Sequence, residues 1–205
     1  MTRKPPRSKP RRRVSNDANR RSLLLFVEGR KTEPTYLTHW HRRHRKDILV
    51  TIAEFHGVPL SLAKRACQQR ATEKRAKQEG RPHDEIWCVF DRDDHVNIEE
   101  ALRLCASNEI KVAFSNPCIE LWFQLHFTEQ TAHLSRRQAQ RNVKDHVNID
   151  KEVSETAFVT LRDRYERARG RAQALDRKHH DDGSPIGSNP SSTVWRLIDS
   201  IRRVH

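Results

Sequence analysis

Short apolar runs alternating with helix-like stretches constrain this chain more than any other feature of it. Residues 22–27 (SLLLFV) and 86–90 (IWCVF) have the length and continuous hydrophobicity of strands buried on both faces, and 48–55 and 110–114 read as further strands. Between the first two, Thr32 offers an N-cap, Glu33 and Pro34 fill a first turn, and Tyr36, Leu37 and Trp40 recur at helical spacing. Pro59 and Ser61 introduce a long charged helix over 62–79, ended by Gly80 and Pro82. Asn97 caps a third helix, with Ile98, Ala101, Leu102 and Cys105 on its apolar side. This order predicts an α/β fold with a parallel sheet of about four strands and right-handed crossovers. Ligands of such sheets sit at the carboxyl ends of the strands. Glu28 directly follows the first run, and Asp91-Arg92-Asp93 directly follows the third.

The rest of the chain reads as helical after the apolar stretch 118–127 (CIELWFQLHF), which predicts a buried helix, with a strand left open by periodicity alone. Helices are expected over 135–146, 152–178 and 192–203, with a mobile Gly/Pro/Ser/Asn loop, HHDDGSPIGSNPSS, before the last. The expected organisation is a disordered basic arm over 1–21, an α/β core over 22–130 and a helical C-terminal region over 131–205, packed on that core.

Charge is unevenly placed. Of a net +13, the arm supplies +8: nine basic residues, including Arg11, Arg12 and Arg13, stand against the single acid Asp17. Two readings of it stay open, phosphate binding by counterion release and a solubilising tail, with a transit peptide as a third. No apolar run is long enough to span a bilayer, and no secretory signal is visible. The four cysteines lack CxxC spacing, so reduced thiols in a cytoplasmic protein are expected rather than a disulfide or zinc framework.

Asp91 and Asp93 alternate at a strand end and therefore point to the same side, where two carboxylates repel unless a cation lies between them. A lone DxD is weak, but Glu28 at the end of another buried strand strengthens it. Oxygen ligands suit Mg²⁺ or Mn²⁺ and hence phosphate chemistry, in which Glu28 ligates metal or acts as general acid/base. Arg30 and Lys31, on the turn into a helix, can hold a phosphate or be solvated. Glu120, an acid inside an apolar stretch, is expected to face the site, with a capped or Arg-paired carboxylate as the alternative. Lys144 is a phosphate-contact candidate on a basic helix that is otherwise solvated. His39, His41 and His44 fall on different helix faces, so solvation is preferred to zinc.

The segments LLLFVEGRKTEPTYL, DEIWCVFDRDDH, SNPCIELWFQLHF and SNPSSTVWRLI resemble the RloB family over about 22–203. That family is linked to abortive-infection and restriction loci and related to the Toprim fold, whose signature is a Glu after the first strand and a later DxD. The resemblance implies a Toprim-like four-stranded sheet, a Mg²⁺ site of Glu28, Asp91 and Asp93 with Glu120 added as a catalytic group, and nucleic-acid cleavage. It also implies a partnered AAA-type ATPase, which must be a separate chain because no G-x-x-x-x-G-K-[ST] occurs here. A Mg²⁺-dependent antiphage nuclease is thus the leading expectation. A non-catalytic nucleic-acid- or ATPase-binding module and a nucleotidyl transferase are the alternatives. DNA against RNA, and the oligomeric state, stay open.

Overall fold

A computed structural model describes residues 20–76, 81–92, 95–149, 151–185 and 187–202. Strands β1 (Arg21–Val27), β2 (Ile48–Ile52), β3 (Glu85–Asp91) and β4 (Lys111–Asn116) are parallel to their neighbours, and β5 (Ser191–Ser192) adds antiparallel to β4. The sheet order is β2-β1-β3-β4-β5. The connections α1 (Thr32–His44), α2 (Pro59–Arg75) and α3 (Ile98–Ser107) link the parallel strands. The remaining helices are α4 (Ile119–Leu125), α5 (Arg136–Lys144), α6 (Glu155–Arg162), α7 (Tyr165–Asp181) and α8 (Val194–Arg202).

Strand alternation explains the two-sided core. Leu23, Leu25 and Val27 of β1, with Trp87 and Val89 of β3, join one apolar cluster with α1 and the C-terminal helices. Leu24 and Phe26, with Ile86, Cys88 and Phe90, pack the opposite face against α2 and α3. The first cluster runs from Leu23 to Ile201, so the C-terminal helices share the core of the sheet. Its aromatic centre is closed by a hydrogen bond from Trp122 Nε1 to the Tyr36 hydroxyl at 2.9 Å. Trp40 lies in that centre, edge-on to Phe158 and Tyr165, and packs the core. All four cysteines are free thiols, three of them buried.

Several local expectations need correction. Thr32 is the first residue of α1 rather than its cap; Lys31 takes that place without a side-chain cap bond, and the Thr32 hydroxyl donates to the Lys151 carbonyl instead. Strand β2 stops at Ile52, before the expected Phe55, and α2 is described only to Arg75. The expected helix over 152–178 is two helices, α6 capped by Ser154 and α7. The loop before α8, expected to be mobile, is pinned: His179 Nε2 meets the Pro190 carbonyl at 2.9 Å, Asn189 bonds both backbone groups of Leu134, and β5 pairs with β4. Two hydrogen-bonded residues in a Gly/Pro/Ser segment carry no hydrophobic pattern, so the fifth strand has no sequence signal.

Candidate functional site

The chain leaves β1 toward β2 on one side of the sheet and reaches β3 on the other, so the crevice between the carboxyl ends of β1 and β3 is the topological switch point. Glu28 and Asp91 flank it. The Glu28 backbone N–H donates to the Val89 carbonyl at 2.9 Å, extending the β1–β3 ladder by one bond. Its carboxylate turns toward the loop after β3: Oε1 lies 2.8 Å from His95 Nε2, and Oε2 accepts the Asp91 backbone N–H at 3.2 Å.

The Asp91 side chain instead faces a cleft of about 300 Å³, whose floor also includes Glu33 and Glu120. Each acid arrives from a different element: Asp91 from the end of β3, Glu33 from the first turn of α1, and Glu120 from the first turn of α4. Gly29 leaves room for the Glu33 carboxylate, since a Cβ there would lie 1.9 Å from Glu33 Oε2. Arg30, Lys31, Lys151 and Arg136 also line the cleft, Arg136 being delivered by the first residue of α5 behind a complete Ser135–Gln138 capping box. The result is an acidic floor beneath a basic rim.

The electrostatics follow from crowding like charges in a dry place. Burial, followed by the charges of Glu33, Glu120 and Glu28, pushes the Asp91 carboxyl well above the usual carboxylate range, and Arg136 offsets only part of this. Glu33 is raised chiefly by burial, which outweighs its own backbone N–H, with Glu120 and then Glu28 adding to the rise and Arg136 opposing it. Glu120 Oε2 is buried without a hydrogen-bond partner. Burial, then Glu120, raises the neighbouring Cys118 thiol, which therefore stays protonated.

Of the residues singled out in the sequence, Asp91, Glu120, Arg30 and Lys31 line the cleft. Glu28 stands beside them, engaged by His95. Lys144 ends α5, exposed and outside the cleft lining. Asp93 and residues 1–19 of the arm, with Arg11, Arg12 and Arg13, lie outside the described residues, whereas Arg21, assigned to the arm, is the first residue of β1 and pairs with Glu85. Among the described residues no three His, Cys, Asp or Glu side chains form a ready metal cage. His39 is committed to the Val153 carbonyl and Glu155, not to a metal.

Glu33, His95, Arg136 and Lys151 escaped the sequence reading as site residues. Glu33 had an ordinary explanation, an acid in a helix first turn. Its one signal was position, five residues after Glu28 on the same strand-to-helix turn. Arg136 and Lys151 reach the cleft through tertiary packing, which no local pattern encodes.

The family model for RloB-like proteins matches residues 23–201, nearly the whole described chain. No curated protein and no solved structure gives a significant match. Among the described residues no helix is long and apolar enough to cross a membrane.

Proposed function

The chain belongs to the RloB-like family, and on that premise we propose that it is a metal-dependent nuclease of Toprim type, a cytoplasmic antiphage effector that works with a separate AAA-type ATPase. The observation that carries this reading is the stack of Asp91, Glu33 and Glu120 under Arg136, Lys31 and Lys151 at the switch point of the sheet. The donor set fits a hard divalent cation: it is all oxygen, mutually repelling, and includes an orphaned Glu120 Oε2. Asp91 and Glu120, joined by Glu33 and by Glu28 and Asp93 of the family signature, would hold Mg²⁺ or Mn²⁺. When bound, that cation neutralises phosphate charge and lowers the pKa of a water.

The chain's own groups do the rest. Arg136, Lys31 and Lys151 grip the phosphodiester and orient it over the carboxylates. The N-terminus of α1 adds its positive dipole end at the same place. Glu28 Oε1 and His95 Nε2, 2.8 Å apart, form a pair able to accept a proton from the attacking water and return one to the leaving oxygen.

A second reading, a nucleic-acid- or ATPase-binding module that keeps the acids as scaffold, draws on the same pair. Glu28 is already satisfied by His95 and the Asp91 N–H, and the described residues alone make no three-donor cage. Cleavage assays on DNA, total RNA and tRNA with Mg²⁺ or Mn²⁺, with and without the ATPase, separate the two. Cutting by the native protein, and a loss of at least roughly 100-fold in Glu28→Gln and Asp91→Asn, is the expected outcome. Cutting that survives both substitutions sinks the nuclease reading, and extended rather than cut products assign nucleotidyl transfer.

A further inference from the structure

The end of α1 remote from the cleft carries a second concentration of positive charge. Residues 41–46 read HRRHRK, and Arg42, Arg43, Arg45 and Lys46 are all exposed. Arg42, Arg43 and Lys46 enter no ion pair among the described residues. Arg20, the residue before β1, joins them: its guanidinium donates to the Arg45 carbonyl, which brings this end of the strand beside the patch. The crowding is felt by neighbours. Burial first, then the guanidinium groups of Arg20 and Arg45, hold His41 below its ordinary value; burial, then Arg202, does the same to His44.

Helix-dipole stabilisation accounts for Arg42 and Arg43 in the last turn of α1. It does not account for Arg45 and Lys46 at and beyond the helix end, nor for Arg20 brought in from just before β1. A protein partner is a poorer fit, because protein interfaces build their centres on apolar and aromatic groups, among which Arg is enriched but Lys is depleted. Here, among the described residues, only Leu49 is an exposed large apolar neighbour. A polyanion that needs only cations fits better.

The spacing is informative. Helix α1 runs thirteen residues from Thr32, at the cleft, to His44, a length of about 20 Å that separates the patch from the cleft. Nucleic acid rises ~3.4 Å per phosphate along a strand, so this interval spans roughly six phosphates. We propose that Arg42, Arg43, Arg45 and Lys46, with Arg20, form a docking surface for the phosphate backbone of nucleic acid, holding it about six phosphates from the cleft. The substrate class rests on the nuclease reading; the docking surface is measured without it.

The test uses the full chain in an Asp91→Asn background without divalent metal, so that binding is read apart from cutting. A labelled DNA duplex, a labelled RNA hairpin and a labelled poly-glutamate are titrated by fluorescence anisotropy between about 50 and 200 mM salt. Adding Arg42→Gln, Arg43→Gln and Lys46→Gln should weaken binding to one or both nucleic acids. It should also lower the slope of log K against log salt by about 2–3, with an unchanged melting temperature. Arg42→Gln alone should lower the slope by about 1, which keeps the test readable if the triple variant folds poorly. An unchanged slope, or poly-glutamate bound as tightly as the nucleic acids, overturns the proposal. Binding that behaves as expected in a protein that cuts nothing would leave the docking surface standing and remove the nuclease.

Discussion

His95 Nε2 sits 2.8 Å from Glu28 Oε1, and through the other oxygen of Glu28, which accepts the Asp91 N–H, the ends of β1 and β3 are tied to the loop that follows them. One carboxylate thereby fixes the backbone of the next. The Asp91 side chain is left to face Glu33 and Glu120 with no strong partner of its own sign-reversing charge except Arg136.

Such an arrangement trades stability for a binding site. Asp91→Asn removes a buried carboxylate from a crowd of like charges, so in metal-free buffer the variant should melt above the native protein. For a chain of this size each kcal/mol is worth roughly 2–4 °C. Saturating Mg²⁺ should reverse the order. At about 100 times its Kd a ligand contributes roughly 2.7 kcal/mol to the native protein, and much less where a ligand is missing. Differential scanning calorimetry with Mg²⁺ and with EDTA reads both effects; a native protein indifferent to Mg²⁺ contradicts this account.

Gly29→Ala isolates Glu33. The new methyl would lie 1.9–2.4 Å from the Glu33 carboxylate atoms, so that carboxylate must swing away while the backbone stays in place. The expected result is a well-folded protein with a melting temperature within a few degrees of native, but with a weakened Mg²⁺ response and at least roughly tenfold slower cutting. Should Gly29→Ala keep native metal response and rate, Glu33 has no part in the site.

A pH dependence arises outside the cleft lining, at His126. This ring is fully enclosed, donates from Nδ1 to the Trp122 carbonyl and leaves Nε2 without a partner. Burial, only partly offset by its bonds to backbone, lowers its pKa from 6.5 to about 4. The folded state thus holds the neutral ring, and between about pH 6.5 and 4 the unfolded chain binds more protons. Stability from this group is complete above pH 6.5 and is lost as pH falls through that window, by about 3 kcal/mol at most. Urea melts of the native protein and His126→Gln at both ends of the window should show the gap between them closing at low pH. A constant gap would remove His126 as the cause.

How much of this was legible varies with the range of the interaction that built it. The switch point was readable because strand ends and helix starts are local patterns, and the rule that sites form there needs only their order. Glu120 was readable because an acid in CIELWFQLHF contradicts its surroundings. Glu33 was hidden by having a sufficient local role. Arg136 and Lys151 belong to segments whose position over the cleft depends on packing against α4 and α1. The pairing of β5 was hidden for the same reason: Ser115 and Ser192 meet across 77 residues, with no pattern of their own.

That last pairing has a temporal side. Phe114 and Ser115 lean on Thr193 and Ser192, immediately before the turn that presents Glu120. At a synthesis rate of about 5–20 residues per second, β4 waits roughly 4–15 s for the segment that completes its edge. During translation the acids of the cleft therefore exist as chain well before their scaffold is closed, and a chain interrupted in that interval carries the carboxylates without the frame that aligns them.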